Sequence, residues 1–255
     1  MLYRLHIILL LFCLSLPIFA GREQGDSALQ RGDFALAKKC YLESLKKSPD
    51  AATYYNLGVA CYRLHQTPEA VVAFRHALQL KPGDADTRYN LEVIESQLQD
   101  QFSAPSRMFF LRWLYALRLS LSATAWAVWA LLCFVVCLGS FIFYRLAFVS
   151  SRSSALTKSA FAVSVLFLIL TITFNIFAYR QYSESRECVA VVMKDTPLRD
   201  GPSATSRVVR TVHPGVTLTL SESLGAHPSP ALSVTLPDGT AAWLSDTTAV
   251  TFVGR

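Results

Sequence analysis

The sequence predicts a multi-domain membrane protein: an all-α array of helical hairpins, two transmembrane helices and a small all-β domain. Three observations predict it. Two uncharged apolar runs are each long enough to cross a bilayer. Ahead of them, a pattern of small and aromatic residues recurs at a spacing of about 33 positions. After them come short β-branched runs divided by Gly and Pro turns.

The two runs are Ala123–Tyr144 and Ser159–Tyr179, 22 and 21 residues. At about 1.5 Å per residue each covers about 30 Å, the thickness of the hydrocarbon layer. They account for a chain that is 52% hydrophobic and only 16% charged, more apolar than one soluble globule should be. Trp126, Trp129, Tyr179 and Tyr182 stand where aromatic side chains meet the membrane–water boundary. Neither run carries an ionisable group apart from cysteine, which disfavours a transporter or channel. Asn175 is expected to hydrogen-bond across to the other span.

Charge sets the orientation. The net +6 is not carried by the flanking regions, where residues 21–102 hold ten basic against eleven acidic groups and residues 187–255 hold five against six. The surplus surrounds the spans, which reads as anchoring to the lipid bilayer and not as binding to nucleic acid. Arg145, Arg152 and Lys158 crowd the link between the spans without an acidic residue, so the link is expected in the cytoplasm. Residues 1–20 have the form of a secretory signal peptide, with one early arginine, an apolar centre, Pro17 and a small Ala20. Both signals put the N- and C-terminal portions on the outer side of a bacterial inner membrane. Between repeats and spans, the aromatic stretch Met108–Leu119 is broken by Arg112 and Arg118 and is expected to lie in the interface, the other reading being a plain extension of the first span.

The domain boundaries follow: a leader over 1–20, repeats over 21–102, a juxtamembrane helix over 103–122, spans over 123–148 and 159–180 with their link at 149–158, and a β domain over 188–255.

In the repeats, Gly25, Ala28, Ala37, Tyr41, Ser44 and Pro49 recur 33 residues later as Gly58, Cys61, Ala70, Phe74, Ala77 and Pro82. A third copy starts at Tyr89-Asn90-Leu91, echoing Tyr55-Asn56-Leu57. Gly58 and Ala70 are small where the helices of one hairpin cross, Phe74 fills the gap between hairpins, and Pro82 ends a helix. Thr67 followed by Pro68 suits a helix start. The third copy has one helix, expected over about Ala85–Gln101 with Glu95, Gln97 and Gln99 as a polar cap. Two and a half units leave core uncovered, so the membrane or a partner is expected to cover it. Arg31-Gly32-Asp33 is turn chemistry in the first hairpin, not an adhesion signal.

The second copy resembles the tetratricopeptide repeat through Tyr54, Leu57, Gly58, Cys61, Ala70, Phe74, Ala77 and Pro82. That resemblance implies a concave face for a protein segment, lined by Arg22, Asp26, Tyr55, Val59, Tyr62, Arg63, Tyr89 and Val93. Asp26 and Asp86 depart from the basic and asparagine groups of a clamp for a free C-terminus.

Strands are expected at VAVVM, RVVRTV, VTLTL, LSVTL and AVTFV, which predicts a small barrel. Leu198-Arg199-x-Gly201-Pro202-Ser203, Gly215, Asp238-Gly239 and Trp243 resemble bacterial SH3-like domains. Such domains sometimes bind cell-wall peptides, which makes an envelope sensor of peptidoglycan the alternative function. An aromatic residue common in them is replaced by the region of Ala231, after the small, proline-rich loop 225–231.

The sequence shows no carboxylate pair, nucleophile elbow or phosphate-cradling loop, and His65, His76, His213 and His227 lack metal spacing. His76 reads as a solvated face residue. Cys40, Cys61 and Cys188 form no framework, although a Cys40–Cys61 bond stays open. No catalytic residue, metal or cofactor is expected, so the chain is not expected to be an enzyme.

From end to end the chain resembles the BatE-type proteins of the Bacteroides aerotolerance operon. Tyr89-Asn90-Leu91-Glu92, Phe110–Trp113, Ser122-x-x-x-Trp126 and Ala190-Val191-Val192-Met193 carry the likeness. It implies a scaffold or adaptor acting with von Willebrand A-domain membrane proteins and a MoxR-type ATPase in envelope stress or oxygen tolerance.

Overall fold

A computed structural model describes residues 20–102, 108–149, 154–220 and 231–254. The leader over 1–19, Arg152 and most of the loop 225–231 lie outside the described residues. The chain forms two compact units, one built from the segments before residue 107 and after residue 185, the other from 107–185.

Among the described residues of the first unit, five helices precede the sheet: α1 (Ala20–Gln30), α2 (Phe34–Lys47), α3 (Ala51–Arg63), α4 (Thr67–Leu80) and α5 (Ala85–Ser96). Aspartates start three of them. Asp33 accepts from the Leu36 N–H, Asp50 from Thr53 and Asp84 from Thr87, each satisfying a helix-end donor. Asp50 and Asp84 also take the hydroxyl of that same threonine. Helix α4 differs from expectation: Gln66, not Thr67, is its N-cap, and no side chain caps it. The Gln66 side chain instead accepts a hydrogen bond from Lys38 of the preceding hairpin. Gly32, in a left-handed conformation with φ +79, turns α1 into α2. Its successor Asp33 caps α2, so the Arg-Gly-Asp sequence is a turn.

The repeat core contains Ala28, Ala37, Tyr41, Leu57, Ala70, Phe74 and Leu91, all buried. Cys40 and Cys61 are buried, free thiols. His76 is not a solvated residue. Its ring stacks on Tyr54 at a centroid distance of 4.8 Å, and burial lowers its pKa. Helix α5 ends at Ser96, earlier than the polar pattern suggests. Beyond it the chain turns so that Leu98, Asp100 and Phe102 reach the β domain.

That domain is one antiparallel sheet in the order β3-β2-β6-β5-β4-β1-β7. Its strands are β1 (Val189–Val192), β2 (Thr196–Arg199), β3 (Val208–Val212), β4 (Thr217–Leu220), β5 (Leu232–Thr235), β6 (Ala241–Leu244) and β7 (Val250–Val253). The five expected strands are present. The two missed, β2 with TPLR and β6 with AAWL, are short and lack a β-branched run. Of the expected small barrel the structure shows the β-sheet; among the described residues no ladder joins β3 to β7 to close it.

The open end of the sheet meets the open end of the repeats. Alternate residues of a strand point to opposite faces. Ala190 and Val192 accordingly enter the sheet core, while Val191 and Val189 pack with the repeat core. Val253 of β7 also joins the repeat core, and both strands lie on α4. Leu98 in turn packs against the sheet core. It sits so close to Gly215 that a Cβ there would lie 2.6 Å from Leu98 Cδ2. Asp100, nearly buried, accepts the backbone N–H of His213 at 2.7 Å and stands 3.1 Å from its Nδ1. The Arg210 guanidinium lies over the Phe102 ring at 4.6 Å. The chain's own sheet thus covers the core that the sequence leaves open, in place of a second helix.

The second unit holds α6 (Phe109–Leu119), α7 (Ala123–Val149) and α8 (Ser154–Ser185). Helix α8 extends past the expected span at both ends, so Ser154–Lys158 is helical and not link. Helices α7 and α8 are long and apolar enough to cross a membrane. Only 22% and 17% of their apolar windows are buried, unlike the core helices of a soluble protein. Ser164 and Cys137 hydrogen-bond between them. Trp126 is inside the unit: its Nε1 donates to the Arg118 carbonyl at 2.8 Å, and its ring meets Phe174 and Phe177. The Arg118 guanidinium grips both oxygens of Glu184, which ties α6 to α8. Asn175 does not reach α7. It faces outward and donates to the Thr171 carbonyl one turn back on its own helix.

Candidate functional site

The eight residues expected on the ligand face come from α1, α3 and α5, the first helices of successive hairpins. Four of them are engaged in holding these helices together. Arg22 bridges Asp26, at 3.7 Å, and Asp50, at 3.2 Å. Asp26 Oδ1 accepts from the Tyr41 hydroxyl at 2.7 Å and from Asn56 Nδ2 at 2.8 Å. Tyr55 lays its ring edge-on to Phe74, and its hydroxyl accepts from Asn90 Nδ2 at 3.1 Å. Val59 packs against the repeat core. Val93 is half-buried, and its carbonyl accepts from the Ser96 hydroxyl.

Three remain available to a ligand. Tyr89 is 67% exposed, the most open large hydrophobic side chain among the described residues of the array. Tyr62 is exposed, with its hydroxyl on Gln97 Oε1 at 3.1 Å. Arg63 is exposed at the end of α3. Two phenols and a guanidinium present rigid apolar area together with hydrogen-bonding and positive charge, the residue types that carry most protein–protein binding energy.

Sequence reasoning missed Asn56 and Asn90. Each donates from one hairpin's first helix to the previous hairpin, Asn56 to Asp26 and Asn90 to Tyr55. Their signal was the repeated Tyr-Asn-Leu, which marked the period but not the bond.

The chemistry of the buried groups is structural. Burial, followed by the Asp26 carboxylate, raises the Tyr41 phenol well above its ordinary range. Burial pushes the Cys61 thiol up to about 11, which keeps it protonated and unreactive at neutral pH. At the turn before α5, burial opposes ionisation of Asp84, but hydrogen bonds from Lys81 and Thr87 outweigh it and lower its pKa.

Residues 22–85 match the tetratricopeptide repeat family. The chain is also similar to cilia- and flagella-associated protein 70 of Macaca fascicularis and of Homo sapiens, with 38% identity over 65 residues in each case. The aligned segment is 26% of this chain and 6% and 5% of those two proteins, so the chain spans only a small fraction of their length. The likeness is therefore confined to one segment. The chain carries tetratricopeptide repeats, and repeats of this kind mediate protein interactions.

Proposed function

We propose that the protein is a non-enzymatic, membrane-anchored scaffold that presents its repeat array to another protein. The observation that carries this reading is the tetratricopeptide match over residues 22–85 together with the exposed Tyr62, Arg63 and Tyr89. Helices α7 and α8 are the anchor in this reading. Two crossings return the chain to the side it left, which suits a unit assembled from segments before and after the helical pair. The ends of α7 and α8 that carry Arg145 and Lys158 lie on the cytoplasmic side, and the repeats with the β domain lie outside, in the periplasm of a bacterial inner membrane. The whole-chain resemblance supplies the candidate partners: von Willebrand A-domain Bat proteins and the MoxR-type ATPase that serves them.

The β domain is a structural partner of the repeats in this reading. One end of its sheet is taken up by packing on α4. The test is co-purification of the full chain with a von Willebrand A-domain membrane protein in mild detergent. The substitutions Arg63→Glu and Tyr89→Ala together should abolish capture while leaving thermal unfolding unchanged, since neither side chain is buried. Undiminished capture would remove the groove from the account.

A further inference from the structure

One stripe of α8 is left unpaired by α7. Val165, Leu168, Ile172, Asn175 and Tyr179 are all exposed. They follow one another at alternating steps of four and three residues, the spacing of a left-handed helix–helix seam. The side facing α7 is a different one, with Ser164, Phe174 and Phe177. We propose that this stripe is a self-association seam through which two copies of the chain pair in the membrane, Asn175 against Asn175. The proposal rests on the reading that α7 and α8 cross a bilayer.

The carboxamide identifies the second copy as the occupant. Asn175 Nδ2 donates to the Thr171 carbonyl at 2.9 Å, and among the described residues its Oδ1 receives no bond. An apolar neighbour would leave that oxygen and the second amide hydrogen unsatisfied in hydrocarbon. Another Asn175 supplies the missing donor and the missing acceptor at once. Two copies with the same topology run parallel, so equal positions meet in register. Val165 and Ile172 at one seam position, with Leu168 at the other, are the combination that favours two strands over three or four. A groove of about 530 Å³, lined by Thr171, Ile172, Asn175, Ile176, Tyr179 and Arg180, lies open beside the amide and can receive the neighbour's side chains.

The test places a photo-crosslinking side chain at Ile176, beside the seam, or at exposed Val135 on α7 as a control, in full chains bearing two different tags in membrane vesicles. A product carrying both tags is expected from Ile176 and not from Val135. Asn175→Leu should cut its yield about 3- to 30-fold, the range of one interhelical hydrogen bond in a bilayer, while Asn175→Gln should keep it. No product from Ile176, equal product from Val135, an unchanged yield with Asn175→Leu, or capture of a different protein would each overturn the seam. Alkaline carbonate treatment of the same vesicles separates the two readings. Chains that stay in the membrane without crosslinking refute the seam alone, and chains that are extracted refute the membrane anchor and the seam together.

Discussion

The first two hairpins solve the same packing problem with different chemistry. In each, a glycine lets an aromatic ring from the second helix lie on the first: Gly25 under Tyr41 and Gly58 under Phe74. Tyr41 brings a hydroxyl into the core, and Asp26, next to the glycine, accepts its hydrogen bond. Phe74 brings none, and the residue at the corresponding place, Val59, is apolar. The polar pair is compensated as a unit, which lets one repeat carry a buried hydrogen bond where the next is dry. The turns differ as well. The first hairpin uses Gly32 at φ +79 and a capping Asp33; the second uses His65 at φ +58 and Gln66, which caps nothing.

The sharpest way to break this comparison is to fill both glycines. A Cβ at position 25 would stand 2.6 Å from Tyr41 Cε1, and one at 58 would stand 2.7 Å from Phe74 Cε1. Both rings are fully buried and have nowhere to go. Overpacking costs about 1–3 kcal/mol, against about 1 kcal/mol of helix propensity gained by alanine. Gly25→Ala should be the worse of the two, because moving Tyr41 also breaks its bond to Asp26. Urea unfolding of the full chain in mild detergent measures the difference.

A second experiment exchanges the chemistry. Asp26→Val strands the buried Tyr41 hydroxyl and should cost about 1–3 kcal/mol. Adding Tyr41→Phe imitates the second hairpin and should recover part of that loss. A coupling of about 0.5–3 kcal/mol in the double-mutant cycle would show that the two residues act together. Additive losses would place Asp26 in the service of Arg22 and Asn56 alone. The smallest expected effect is at the turn. His65→Gly should stabilise by less than about 1 kcal/mol, since glycine relieves the left-handed strain but gains freedom in the unfolded chain. Gly32→His should destabilise by a similar amount.

The repeat was legible because Gly, Ala and aromatic residues at fixed spacing are dictated by local helix crossing. The bonds of Asp26 were not legible. Its place in the repeat pointed to a ligand, whereas its partners Tyr41 and Asn56 are fixed by packing between helices that no period reveals. The two long apolar helices were legible from length and composition. The outward turn of Asn175 was not, since hydropathy says nothing about which side of a helix meets its neighbour. The cover over the last repeat was the least legible feature. Val191 and Val253 look like ordinary strand residues, and only the fold brings them to α4 from a position more than a hundred residues away in sequence. Polar Gln97 and Gln99 suggested a solvated cap, but Leu98 between them enters the sheet core.

The account stands on both flanks of the helical pair lying together outside the cell's inner membrane. Single cysteines at Tyr89, Ser203 and Lys158, all exposed positions, can be labelled in spheroplasts with a membrane-impermeant maleimide. Positions 89 and 203 should label in intact spheroplasts, and position 158 only after permeabilisation. Labelling of 158 alone, or of 89 without 203, would contradict the account.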